Sequence, residues 1–502
     1  MHVTVSGEPL SIEQVVAVAR DDEKVVLAPS AIDAMAQSRA QVEALAHADH
    51  PAYGISTGFG ALATTHIPPE RRADLQRSLI RSHAASSGAV VERDVIRAMM
   101  LLRLRTLATG RTGIRPIVAE RLADLLNASI TPVVREFGSL GCSGDLAPLA
   151  HIALTLMGEG ERATSLTDAG IEPVQLAEKE GLALINGTEG MLAMLLLSLH
   201  DLHVLVTTAD IAAAMTVEAV LGTDRVFADE LQQLRPQPGQ ALSAANMRAV
   251  LDGSAIVASH RGPEDTRVQD AYSLRCAPQV AGAMRDTMAH AERVASYELQ
   301  SAIDNPVVLQ DGRVESNGNF HGAPIGYVLD FLAIAAADLA SMSERRTDRM
   351  LDKTRSHGLP PFLAVEPGVD SGHMIAQYTQ AGIVSELKRL AMPASVDSIP
   401  SSAMQEDHVS MGWSAGRKLR RAVDGLTRVL AIEAMTAARA LDFRAPLQPS
   451  PASKAVVKAL RDAGVPDAYH DRYLAPEIEA ATQAVRDGRL VDAAKRVAGS
   501  LH

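Results

Sequence analysis

Residues 138 to 148 read Gly138-Ser139-Leu140-Gly141-Cys142-Ser143-Gly144-Asp145-Leu146-Ala147-Pro148, with three glycines inside seven positions. That spacing forbids a regular element, while Leu146, Leu149, Ile152 and Ala153 predict a helix immediately after it. Asp145 as cap and Pro148 in the first turn are helix-start signals, so Cys142-Ser143-Gly144 is expected on a tight bend against a helix N-terminus. A plain glycine turn, a phosphate cradle and a nucleophilic serine elbow are all candidate readings. The phosphate loop lacks the Lys that follows its glycines, and Asp145 would repel phosphate. The elbow wants Gly two residues either side of its Ser, where Ser143 has Gly141 and Asp145. A fourth reading makes the tripeptide itself the reagent. Attack of the Gly144 amide nitrogen on the Cys142 carbonyl closes a five-membered ring, and loss of water from Ser143 leaves an exocyclic methylene. Gly144 supplies an unhindered nitrogen, Ser143 a hydroxyl that can leave, and Cys142 only a small side chain. The product is an electrophile, and the helix N-terminus favours negative charge developing on it.

The string from Gly138 to His151 resembles the signature of the aromatic amino acid ammonia-lyases, whose (Ala or Cys)-Ser-Gly matures into 4-methylidene-imidazol-5-one (MIO). The resemblance extends from about Tyr53 to about Leu441. It implies that MIO forms from Cys142-Ser143-Gly144, and that the fold is mainly α, a long-helix bundle of the fumarase/aspartase-like superfamily with a small mixed N-terminal region. It also implies a homotetramer whose sites draw residues from three subunits. Cys142 is a departure from the Ala of many relatives that the cyclisation chemistry tolerates.

Removing ammonia from an α-amino acid is hard because the amine leaves poorly and the β-hydrogen is weakly acidic. An electrophile on residue 143 addresses the first difficulty by covalent catalysis with the roles reversed; a positioned base addresses the second. In the family the segment matching Tyr53-Gly54-Ile55-Ser56-Thr57-Gly58 supplies a catalytic tyrosine, here Tyr53. The family's match for a bidentate Arg on the substrate carboxylate is Arg275. Tyr272, expected on the same helical face, matches an active-site tyrosine, and Gln269 is expected one turn further back. Asn186 matches a residue hydrogen-bonded at the electrophile, and Phe320 the aromatic residue beside it. Ser82-His83 falls where the family reads the substrate ring: histidine-acting members carry Ser-His, tyrosine-acting members His-Leu, phenylalanine-acting members Phe-Leu. Glu406 occurs in the histidine-acting members, and a carboxylate can hold an imidazole N–H or assist proton transfer. These residues imply deamination of L-histidine to trans-urocanate. His373 is a departure, a polar ring where relatives are apolar. Rival readings are a tyrosine or phenylalanine lyase or aminomutase of the same family, and the fumarase/argininosuccinase group, whose mobile-loop Lys is missing after Pro400-Ser401-Ser402-Ala403-Met404. A third is a non-catalytic helical assembly, in which Ser143 stays unmodified.

The elements that must hold these residues are mostly helices. Hydrophobic residues make up 47% of the 502 and aromatics only 3%, which suits helix-on-helix packing over an aromatic-rich sandwich. Val3 to Leu10 and Lys24 to Leu27 are expected as short strands, and Ser11 with Gln14 as a capping box. Helices are expected from Ser30 to Ala46, Glu70 to Ala84 and Glu92 to Gly110. Met191 to Leu221 is expected as one long buried helix capped by Thr188, too interrupted by Asp201, Asp210 and Glu218 for a membrane span. Long helices follow at Gln279 to Ser301, Ile325 to Leu351, Ile375 to Met392 and Val409 to Leu441, then a terminal pair at Lys454 to Ala463 and Ala475 to Leu490. Domain segments are drawn at 1–200, 201–445 and 446–502. The formal net charge of −12 disfavours nucleic acid or an acidic membrane as partner. Cys142 and Cys276 allow no disulfide framework or thiolate cluster. His200 and His203 are expected as core histidines, and no histidine pattern recommends a metal. Met1 to Leu10 has no apolar core behind a positive region, so a cytoplasmic location is expected.

Overall fold

The computed structural model describes residues 2–47, 54–58, 62, 64–262, 265 and 268–502. The chain groups into two units, each assembled from several stretches, where the sequence suggests three consecutive segments. One comprises 1–197, 291–330 and 393–417; the other takes the remainder. The reason lies in helix length. Glu189–Ala219, Ala277–Gln300, Ala323–Leu351 and Gly412–Asp442 each contribute residues to both units.

In the first unit, strand His2–Val5 pairs in parallel with Lys24–Leu27 around helix Ile12–Arg20, which carries the expected Ser11/Gln14 capping box. The first strand ends sooner than expected, before Gly7 at φ +89°. Helix Pro29–Ala46 starts at its proline with Ala28 as cap, so Ser30 caps nothing. Arg72–His83 and Arg93–Ala108 follow close to their expected bounds. Pro116 then opens a further helix, Pro116–Asn127, from its first position. Two antiparallel pairs, Ser87–Val90 with Arg135–Phe137 and Val307–Val308 with Val314–Glu315, carry no alternation long enough to read in sequence.

Helix Arg93–Ala108 is buried from Val95 to Ala108, three arginines included. Buried charge needs partners, and Arg103 finds them by bridging segments far apart in sequence. Its guanidinium meets the Glu189 carboxylate at 2.8 Å and donates to the carbonyls of Ala183 (2.9 Å) and Ile303 (3.2 Å). Glu189 also accepts from Thr106 Oγ1 at 2.9 Å. This fixes the start of the long helix Glu189–Ala219 beside helix Glu180–Ile185, with Asn186 to Thr188 strung between them. Thr188 stands directly before the long helix, its carbonyl accepting from Leu192 N–H at 3.0 Å, and it donates its hydroxyl to Glu298.

The second unit is helical throughout its long elements. Its buried ion pair is Arg346 with Glu433, at 2.8 Å, and Glu433 also accepts from Thr216 Oγ1 at 3.0 Å. The buried window of Glu189–Ala219 accounts for an apolar run long enough to suggest a membrane span. His203 on that helix is exposed, contrary to its expected place in the core. The last expected helix is two, Ala475–Arg486 and Arg489–Ala498, divided where Gly488 takes φ +71°. Replacing Arg103 by Met strands the Glu189 carboxylate without its cation. Urea unfolding should show a loss of about 3–5 kcal/mol, the usual range for breaking one side of a buried ion pair.

Candidate active site

The glycine loop is held against three other segments by its own backbone. Ser410 Oγ donates to the Gly141 carbonyl at 2.7 Å, Gly322 N–H donates to the same oxygen at 3.0 Å, and Met411 N–H reaches Leu140 O at 2.9 Å. Helix Gly412–Asp442 begins three residues later than the sequence suggests: the Val409 N–H goes to Ser398 Oγ at 3.0 Å, while Ser410 and Met411 hold the loop. At Gly144, φ is +76° and a Cβ would lie 2.2 Å from the Gly187 carbonyl oxygen. The Asp145 N–H donates to that oxygen at 2.7 Å. Two backbones meet where only glycine leaves room.

Asp145 does not cap its own helix Leu146–Leu156 with its side chain. Its carboxylate accepts from Ser139 Oγ at 2.8 Å and from Met191 N–H at 2.9 Å, so it caps the first turn of the long helix instead. Complete burial pushes its pKa up to about 7, against the lowering effect of the Met191 and Ser139 hydrogen bonds.

Beside this loop lies a cavity of about 700 Å³, a size suited to an amino acid or larger ligand. One wall is apolar, with Leu75, Leu79, Leu146 and Ile185; polar groups from Ser143, His83, Asn186 and Glu406 complete it. The structure thus brings together four of the expected site residues. Leu75, Leu79 and His83 recur every fourth residue along Arg72–His83, a one-face pattern that could have identified the wall from sequence. His83 Nδ1 donates to the Leu79 carbonyl at 2.9 Å, which leaves Nε2 as the acceptor of a neutral ring. Burial lowers the His83 pKa, outweighing the Leu79 carbonyl and the nearby Glu406 charge, so the neutral form is favoured.

Glu406 is half-buried and stands well before the next helix, so it is not a helix-start carboxylate. It accepts from Ser143 Oγ at 2.8 Å through Oε1, and from Cys142 Sγ at 3.2 Å and Ser401 Oγ at 2.9 Å through Oε2. Ser401, not singled out in the sequence, also pairs its backbone with that of Glu406. Between them Ser402, Ala403 and Met404 hold φ of +49°, +52° and +69°, a left-handed turn of non-glycine residues. Burial pushes the Cys142 thiol up to about 12, and the Glu406 charge adds to the shift. The residues present fit MIO. Gly144 occupies a cradle that any Cβ would fill, and the Asn186 Oδ1 is buried without a hydrogen-bond partner.

Tyr53 lies outside the described residues. Phe320 is half-buried in the turn before Gly322 and does not line the cavity. Tyr272, Arg275 and Gln269 belong to the second unit. There the Arg275 guanidinium lies 4.6 Å from the Tyr272 ring centroid, on the shared face expected of helix Tyr272–Arg275. Gln269 precedes that helix in non-helical, exposed backbone, so it is not one helical turn back. His373, whose polar ring raised the question of substrate preference, is buried in the second unit with Nδ1 3.1 Å from Thr436 Oγ1. Burial lowers its pKa to about 3. His408 stacks on His321, centroids 5.7 Å apart.

The family profile described as aromatic amino acid lyase matches residues 10–462. The chain is 62% identical over 512 residues to a protein of Streptomyces avermitilis named histidine ammonia-lyase, covering all of both chains. Among solved structures it is similar to a tyrosine aminomutase from Streptomyces globisporus, with TM-score 0.95 and 39% identity over all of both chains. It is also similar to the histidine ammonia-lyase of Trypanosoma cruzi, with TM-score 0.91 and 36% identity, covering 99% of this chain and 96% of that one.

The raised pKa of Asp145 gives a pH signature. The folded state binds a proton that the unfolded chain, with a carboxyl near 3.8, has released. The ionisation penalty is therefore absent below about pH 4 and complete above about pH 7. Relative to an Asp145→Asn variant, the wild-type thermal midpoint should fall as pH rises through that window and run parallel outside it.

Proposed function

The chain belongs to the aromatic amino acid lyase family, and we propose on that footing that it is a carbon–nitrogen lyase converting L-histidine to trans-urocanate and ammonia. The observation carrying this reading is that Ser143, His83 and Glu406 share one cavity, so the residue that would bear the electrophile sits among groups matched to an imidazole. The high-identity relatives named for histidine support it, as does the long-helix fold of the fumarase/aspartase-like superfamily shared with the solved structures.

Cys142-Ser143-Gly144 would form MIO, with Asn186 beside it, and the group would supply an exocyclic methylene electrophile able to make the substrate's amine a leaving group. His83 presents a neutral Nε2 that accepts the imidazole N–H, while Leu75 and Leu79 exclude water from the ring. Glu406 receives protons released near the amine. Tyr53 takes the β-proton as base, and Arg275, backed by Tyr272 and Gln269, pairs with the substrate carboxylate in a fork. Phe320, which lies off this cavity, would have to come from another copy of the chain to pack beside the electrophile. Tyr327, Phe331 and Ile334 leave an exposed apolar stripe on helix Ala323–Leu351, which suits burial between copies in a homotetramer. A cytoplasmic location agrees with the bacterial relatives. An aminomutase shares this fold, so the ring-binding residues decide between the readings. A tyrosine or phenylalanine ring offers no N–H to His83.

Purified protein should have an intact mass two waters below that encoded, and should raise the absorbance of the conjugated imidazole acrylate when mixed with L-histidine. Ser143→Ala should remove that activity and the second water loss together. Activity without any mass deficit would refute the reading. His83→Leu should cut kcat/KM for L-histidine by about 10²-fold or more, the usual cost of an unpaired buried N–H at a recognition site. An unchanged value would take His83 out of ring recognition.

A further inference from the structure

The contacts of Glu406 divide cleanly between its two oxygens. Oε2 accepts Cys142 Sγ–H and Ser401 Oγ–H, and Oε1 accepts Ser143 Oγ–H. The carboxylate is thereby fixed in its plane with one oxygen given over to the hydroxyl that must leave. A left-handed turn at residues 402–404, closed by the Ser401–Glu406 backbone pair, holds it there. Strain of that kind persists where the surroundings over-determine a position. Nothing in the deamination of a substrate calls for a carboxylate on Ser143 Oγ, since that oxygen would be gone before any substrate binds.

We infer that Glu406 builds the electrophile before it serves the substrate, acting as the acid–base group for the second dehydration. This rests on the MIO reading above. In the first step the Gly144 nitrogen bonds to the Cys142 carbonyl carbon. The carbonyl oxygen departs as water with the Gly144 and Ser143 amide hydrogens, leaving a C=N bond in the ring. Ring closure sets the Ser143 Cα–H between a C=N and a C=O carbon, where its loss leaves a delocalised anion. Oγ is two bonds from Cα, so the oxygen on Oγ stands at the reacting unit. Glu406 Oε1 takes the Cα proton, the electron pair forms Cα=Cβ, and the Cβ–Oγ bond breaks. Oγ keeps its own hydrogen, receives the proton that Glu406 took, and leaves as water. The carboxylate is regenerated, and no other reactant is consumed. With Oγ gone, Oε1 loses its partner and becomes available to the incoming amino acid.

Intact mass followed from synthesis in a cell-free reaction tests this, with helical circular dichroism as the check on folding. Wild type should reach a deficit of two waters; if it does not, the MIO reading itself fails. Glu406→Gln, whose amide cannot take up the proton, should stop at a deficit of one water and remain inert to 2-mercaptoethanol, because no methylene has formed. Glu406→Asp, a carboxylate set back by one methylene, should reach two waters more slowly than wild type. A Glu406→Gln protein that loses two waters at the wild-type rate overturns the inference. So does one that loses a single water yet adds the thiol, or loses none while keeping wild-type helicity. Should Glu406→Gln fail to fold, Glu406→Asp decides: slowed loss of the second water supports the assignment, and an unchanged rate removes it.

Discussion

Two stretches of main chain meet at Gly144 and Gly187, closer than any side chain permits, and the rest of the site depends on their staying together. The Asp145 amide bonds across that contact, and the Asp145 carboxylate ties the start of the long helix on its other side. Behind Gly187 a Cβ would lie 2.1 Å from Glu189 and 2.3 Å from Arg103, so the same glycine makes room for the buried ion pair. The loop that must bend sharply enough for an amide nitrogen to reach a carbonyl two residues back is thus clamped by neutral backbone and by charge buried beneath it. Loops positioned by a rigid scaffold are where function concentrates, and here the scaffold is a helix buried over most of its length.

The cavity shows why one fold serves several substrates. Under the proposed function its reacting end is the glycine loop, and the wall assigned to the substrate ring comes from one face of Arg72–His83. The tyrosine aminomutase and histidine ammonia-lyase structures similar to this chain share the architecture. In the proposed function the substrate is chosen by few side chains, here the imidazole of His83 and the carboxylate of Glu406.

Much of this was legible in the sequence, for physical reasons. Glycines at 138, 141 and 144 announce a positive-φ backbone that other residues adopt only at a cost, and long apolar helices announce themselves by length. What the sequence conceals are partnerships between distant residues. Asp145 looks like the cap of the helix it precedes, and only the fold reveals that it caps another. Ser410 and Met411 continue a helical composition yet are held out of the helix by hydrogen bonds to residues 141 and 140. Pro116 opens a helix and Gly488 divides one, because proline can start a helix as well as end it and glycine can turn between two. Four expected site residues line one cavity. Tyr272 and Arg275 form their own stacked pair in the second unit.

Cys142 has a chemical side effect to contain. A thiol next to an activated alkene would ordinarily add to it, and the attacking species is the thiolate. With the thiol pushed up to about 12, the ionised fraction near neutrality is on the order of 10⁻⁵. In the proposed mature protein a soft nucleophile can therefore sit within the ring-forming tripeptide without alkylating itself. Burial under the carboxylate acts as a protecting group, one that strong alkali would remove.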